Sequence, residues 1–128
     1  MKTIIGTKQD VVKELTALVA DVLARKPEAN IAVSAVDLPA EVLDALAASD
    51  IAFDKAKLFQ ACEYCGAAGK GTHAVGAAFS PLMAAKPFAA VHAPDPDTDA
   101  EHAADYDAAI QAAGGLDLVI LGLGERGH

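Results

Sequence analysis

The chain has 128 residues, enough for one domain around a single core and too few for two. Hydrophobic residues make up 53% and aromatic ones only 5%, so the core must be built from Ala, Val, Leu and Ile, which suits helices packed on a sheet. Lys plus Arg is 10 against 18 Asp plus Glu, and the net charge of −8 excludes nucleic acid and an anionic membrane surface as natural partners, because both need a basic footprint.

Thr3 to Gly6 reads as a short first strand, too short for the apolar region of a secretory signal. Thr7 with Asp10 three residues later can cap a helix whose Val11, Val12, Leu15, Leu18, Val19, Val22 and Leu23 fall on one face; Pro27 closes it. Ile31 to Ser34 is a second, buried strand, and Asp37 and Pro39 open a second helix turning Val42, Leu43 and Leu46 inward. Lys57 to Gln60 forms a third strand. Cys65 to Thr72, rich in Gly and Ala, reads as loop, and Pro81 interrupts a helical stretch through Val75 to Met83.

Phe88 to Ala93 is a strand ended by Pro94 and Pro96. Thr98 and Glu101 match a capping box for a helix with Tyr106 and Ile110 on one face, stopped by Gly114-Gly115. Leu116 to Leu121 is the clearest strand. No apolar run is long enough to span a membrane, and two cysteines without a secretory signal point to a reducing, cytoplasmic setting. Strands alternating with helices predict one three-layer α/β domain over residues 1–128 on a mostly parallel, doubly wound, Rossmann-like sheet.

Three local patterns invite chemistry and are set aside. Gly122, Gly124 and Gly127 spell G-x-G-x-x-G after a strand, but no helix follows them in this sequence to face a pyrophosphate. Cys62-x-x-Cys65 lacks the two further ligands of a zinc site and the helix of a redox motif. Asp95-x-Asp97-x-Asp99 starts like a calcium loop, but Ala100 stands at the sixth position and Tyr106 at the twelfth. No metal and no cofactor is expected.

The segment Gly114-Gly115-Leu116-Asp117-Leu118-Val119-Ile120-Leu121-Gly122-Leu123-Gly124-x-x-Gly127-His128 resembles the G-G-(I/L)-D-x-x-x-L-G-(I/L)-G-x-D-G-H segment of glucosamine-6-phosphate deaminases and the related 6-phosphogluconolactonases. Upstream, Phe59-Gln60-Ala61-Cys62-Glu63-Tyr64-Cys65-Gly66 is similar to their F-x-x-D-E-Y-x-G, the Tyr favouring the deaminases. Ile31-Ala32-Val33-Ser34 followed by Pro39 matches the strand and phosphate loop L-A-x-S-G-G-S-T-P, and His73 and Phe79 match a downstream H-P-x-S-Y-x-x-F segment. The resemblance runs over the whole chain and about the first half of a family chain.

What the resemblance implies is a sugar-phosphate ligand and aldose–ketose isomerisation with deamination. Ser34, Ala35, Val36, Gly122, Gly124 and Gly127 would bind substrate. His128 would serve in ring opening, and the D-E-Y carboxylate would move a proton between C2 and C1 of the open sugar. The departures fall on that chemistry. The D-E-Y carboxylate is replaced by Cys62, a thiol that is mostly protonated at neutral pH in an ordinary setting, with Glu63 beside it. The carboxylate of G-x-D-G-H is replaced by Arg126, which cannot act as a base. Asp37 stands within the phosphate loop, where its charge would repel a phosphate. The expectation is a catalytically impaired member of that family, whether through evolution or redesign. The alternative is a non-catalytic scaffold that self-associates into a homo-oligomer through the apolar sheet edge left beside the last strand.

Overall fold

A computed structural model describes residues 3–64, 75–97 and 103–127. Among the described residues, four helices, α1 (Lys8–Arg25), α2 (Ala40–Ala48), α3 (Ser80–Ala85) and α4 (Ala103–Ala112), alternate with four strands, β1 (Asn30–Val33), β2 (Lys57–Gln60), β3 (Ala90–His92) and β4 (Leu118–Ile120). All pairings are parallel and the strand order is β3-β2-β1-β4. The alternation expected from the sequence is present, with one correction. Thr3 to Gly6 is not a strand: Ile4 and Ile5 are exposed, and both sides of β1 are taken by β2 and β4. The segment runs instead into the cap of α1, where the Thr7 N–H donates to Asp10 Oδ2 at 2.9 Å and the Asp10 N–H donates to Thr7 Oγ1 at 3.2 Å. That reciprocal pair satisfies two helix-end donors, as the Thr-x-x-Asp spacing predicts.

The strands' two faces are covered unequally. Ile31 and Val33 of β1, Leu58 of β2 and Ile120 of β4 form one face and pack with Val19 and Leu23 of α1, Val42, Leu43 and Leu46 of α2, and Leu82 of α3. Of the seven apolar residues aligned on α1, Val11 and Leu18 remain exposed, because α2 covers only part of so wide a stripe. The opposite face carries Ala32, Phe59 and His92. There Phe59 stacks on the His92 ring at 4.5 Å between centroids and meets the edge of Tyr106 from α4 at 6.5 Å. Helices on both faces make the doubly wound α/β architecture that the alternating pattern predicts.

Pro81 does not break the helical stretch it was expected to interrupt. It sits in the first turn of α3, where its missing N–H costs nothing, after a 3-10 turn over Gly76–Phe79. The α4 stop is as read: Gly114 and Gly115 take φ of 94 and 86, and the Gly115 N–H donates to the Ile110 carbonyl at 2.9 Å. The loop over Cys65 to Thr72, His73, and the Thr98/Glu101 box lie outside the described residues.

Candidate functional site

In an open parallel sheet, ligands bind beyond the strands' carboxyl ends where the strand order reverses. Here that point lies between β1 and β4: the chain leaves β1 toward β2 and β3 on one side and returns through α4 to place β4 on the other. The ladder continues past β1, with the Ser34 N–H donating to the Ile120 carbonyl and the Ala61 N–H to the Val33 carbonyl, each at 2.9 Å. The loops leaving the two strands therefore start side by side.

They meet through main chain. A Cβ on Gly122 would stand 2.2 Å from the carbonyl carbon of Asp37 and 2.4 Å from the Val36 oxygen, so only glycine fits. A Cβ on Gly124 would stand 2.6 Å from Asp37 Oδ2. Ser34, Ala35, Val36, Gly122 and Gly124, all expected to bind substrate, are thus neighbours. Gly127 closes the following turn, its N–H donating to the Gly124 carbonyl at 2.9 Å, with Arg126 exposed on that turn. His128 lies outside the described residues.

Cys62, at the end of β2, joins this group through Ser34: its Sγ is 3.4 Å from Ser34 Oγ, and the thiol is free and half-buried. Cys65, the other cysteine of the Cys62-x-x-Cys65 pattern, lies outside the described residues. Among the described residues, no three His, Cys, Asp or Glu side chains gather where they could hold a metal ion, and no helix is long and apolar enough to cross a membrane.

Glu63 is held by the main chain around it and by Gln60. Its Oε1 accepts from the N–H groups of Tyr64 at 2.8 Å and Val75 at 2.9 Å; its Oε2 accepts from the Gly76 N–H and Gln60 Nε2, both at 3.0 Å. Desolvation acts to raise its pKa, but the N–H groups of Val75, Gly76 and Tyr64 and the Gln60 amide together pull it down to about 2. The carboxylate is a fixed anion clamping the start of the Gly76–Phe79 turn to the end of β2.

Three contributors were missed in the sequence. Gln60 is buried, and its amide also donates to the Cys62 carbonyl at 2.8 Å. The Tyr106 hydroxyl is shared between the carbonyls of Gln60 at 2.7 Å and His92 at 3.2 Å, tying the ends of β2 and β3; burial pushes its pKa up to about 12 despite the Gln60 contact. Asn30, at the other end of β1, donates from Nδ2 to the carbonyls of Ala113 and Gly115. A polar residue inside an apolar strand was the available signal for Gln60 and Asn30.

Two grooves lie elsewhere. One of about 810 Å³ runs between α1 and α2, lined by Val12, Ala17, Ala20, Ala45 and Ile51 with Lys8 and Glu41 at its rim. Another of about 360 Å³ lies between Leu58, Gln60 and Val91 of the sheet and Phe79 and Met83. The first is apolar and carries no constellation of reactive groups; the second shares Gln60 with the Glu63 clamp.

Residues 6–128 match the family of glucosamine-6-phosphate isomerases/6-phosphogluconolactonase. The chain is 34% identical over 134 aligned positions to a glucosamine-6-phosphate deaminase of Pseudarthrobacter chlorophenolicus, covering 98% of this chain and 51% of that protein. It is 36% identical to the Mycolicibacterium smegmatis deaminase, over 89% of this chain and 46% of that one, and 34% identical to the Beutenbergia cavernae deaminase, over 90% and 49%. The chain spans about half the length of the curated relatives it matches. No solved structure matches it significantly. With the switch-point crevice formed by the segments that carry the resemblance, the chain belongs to the glucosamine-6-phosphate isomerase/6-phosphogluconolactonase family.

Proposed function

We propose that this chain is a glucosamine-6-phosphate deaminase-like domain that keeps a sugar-binding crevice and has lost most of the means to turn substrate over. The observation that carries the reading is the meeting of Ser34, Ala35 and Val36 with Gly122 and Gly124 at the β1/β4 switch point, where parallel sheets hold ligands. Impairment follows from the groups around it. Deamination through an open-chain sugar needs a base near C2 and an acid/base for ring opening. Cys62 offers a thiol held against Ser34, Glu63 is fixed by hydrogen bonds to Gln60, Tyr64, Val75 and Gly76 among the described residues, and Arg126 is a permanent cation. His128 is the retained family group for ring opening. Release of ammonia from glucosamine 6-phosphate tests the reading: turnover at an ordinary enzymatic rate by the unaltered chain refutes impairment. Restoring both carboxylates, Cys62→Asp with Arg126→Asp, is expected to raise whatever rate is found.

A second reading is a self-associating scaffold, favoured by the edge beside β4. Val119, Leu121 and Leu123 alternate along and beyond that strand and are 47%, 66% and 79% exposed. β4 ends the strand order, so one side of its backbone is unpaired among the described residues. Sedimentation at increasing concentration distinguishes the readings: a dimer that dissociates in Leu121→Lys/Leu123→Lys supports the scaffold, and a strict monomer rejects it.

A further inference from the structure

The groove between β2, β3, the Gly76–Phe79 turn and α3 holds an unpaired polar atom. Its volume of about 360 Å³ lies at the small end of the range for clefts that take a small molecule. Buried Leu58 and Phe79 form its apolar floor, and exposed Met83 and Val91 stand at its rim. No lining residue is charged, and none belongs to the β1/β4 loops. Gln60 enters from β2 on the same face as Leu58. It is 4% exposed, and its Nε2 is committed to two acceptors, the Cys62 carbonyl at 2.8 Å and Glu63 Oε2 at 3.0 Å. Two acceptors at one end of the amide fix that end as nitrogen, so the other is Oε1, which has no donor among the described residues. It is not sealed off as Asn30 Oδ1 is, and the open space that Gln60 lines is this groove.

We propose that this groove binds a small uncharged molecule with an apolar body and one O–H or N–H group, a phenol or alcohol in character, whose donor is accepted by Gln60 Oε1. The inference is independent of the sugar-binding reading. A nearly buried, unpaired acceptor selects for a donor, because a ligand without one leaves the oxygen against apolar surface. Charge narrows the class further. The Glu63 carboxylate, held 3.0 Å from Gln60 Nε2, repels an anion, and no lining cation offsets it. An ammonium would leave water for apolar walls with no carboxylate oxygen to itself, since both Glu63 oxygens already accept from N–H groups of the fold. A neutral donor carries neither cost. Its apolar body covers Leu58 and Phe79, and Met83, unbranched and adaptable, packs against it.

The test is an amide chemical-shift titration of the unaltered chain with three probes that share one ring: 4-methylphenol, 4-methylanisole, which lacks the donor, and 4-methylbenzoate, an anion. The donor is removed from the probe, so the fold is untouched. 4-Methylphenol is expected to shift the amides of Leu58, Gln60, Ala77 and Val91 saturably. It should bind roughly three- to tenfold more tightly than 4-methylanisole, the worth of one net hydrogen bond. 4-Methylbenzoate should bind more weakly than either. Val91→Trp, at an exposed strand position, fills the groove from its rim and should abolish those shifts; the comparison of probes stands whether or not that variant folds. Equal affinity for 4-methylphenol and 4-methylanisole overturns the proposal, as does 4-methylbenzoate binding as tightly as 4-methylphenol. Absence of 4-methylphenol binding, or shifts that persist in a folded Val91→Trp, overturns it equally.

Discussion

The two ends of the β1/β4 pair are fastened by different means. At the amino end, side chains do the work. Asp117 Oδ2 accepts from the Asn30 N–H at 2.9 Å, the Asp117 N–H donates to the Asn30 carbonyl at 2.9 Å, and Lys26 Nζ reaches Asp117 Oδ1 at 2.8 Å. The Asn30 amide adds its two bonds to the carbonyls that end α4, leaving its Oδ1 buried without a partner among the described residues. At the carboxyl end, Gly122 lets main chain touch main chain, and the Asp37 side chain simply lies over Gly124. The difference separates two kinds of family residue. Asp117, the Asp of the G-G-x-D segment, holds the scaffold and is retained. The positions the resemblance assigns to chemistry lie at the carboxyl end, and there Asp37, Cys62 and Arg126 depart.

The contrast can be broken most severely at the amino end. Asn30→Asp removes two donors from the Ala113 and Gly115 carbonyls and puts a carboxylate in a buried position; a loss of about 3–5 kcal/mol is expected, read as a lower urea midpoint or outright failure to fold. At the carboxyl end, Gly122→Ala must push the two loops apart and should cost about 2–3 kcal/mol, with amide shifts concentrated at residues 35–38. A cost near zero for Gly122→Ala would show that the loops are not in contact.

Glu63→Gln sharpens the comparison, because this clamp at the carboxyl end of β2 also works through a side chain. Replacing the carboxylate sets an amide against the N–H donors and should cost about 2 kcal/mol at neutral pH. The folded pKa of about 2 is below the ordinary carboxylate value of 4.5, so the unfolded chain binds the proton more readily. The stabilisation is then full above about pH 4.5 and is lost as pH falls from 4.5 toward 2. Acid unfolding of the unaltered chain should show that slope, and Glu63→Gln should show a shallower one, the remainder coming from Asp10, Glu41 and Asp117, whose pKa values are also lowered.

Lys26→Ala is the smallest change. Its partner Asp117 is pulled to a lower pKa first by the Lys26 ammonium and then by the Asn30 N–H, but the Lys26 side chain is 47% exposed. A loss smaller than that of any variant above is expected, shrinking in salt. A loss comparable with that of Asn30→Asp would move the main anchor from the buried amide to the surface ion pair.

Local chemistry fixed much of this molecule. The Thr7/Asp10 box, the Gly114-Gly115 stop and the strands at Ile31 to Ser34, Lys57 to Gln60 and Leu116 to Leu121 were legible because caps, turn residues and hydrophobic spacing act over a few residues. Thr3 to Gly6 was misread because strand-like composition cannot announce that both neighbours of β1 are already taken. The crevice residues Ser34, Ala35, Val36, Gly122 and Gly124 were named from the resemblance, yet nothing in their spacing states that two loops some 85 residues apart touch. Glu63 looked reactive in sequence; its partners Val75 and Gly76 come from a segment whose approach only the fold specifies. The strand order decided the position of the crevice, the left-handed turn of Asp37 and the open side of β4, because each depends on which distant backbone lies alongside. Sequence alone determined the elements and the family; tertiary packing decided which retained residues hold the scaffold and which stand at the crevice.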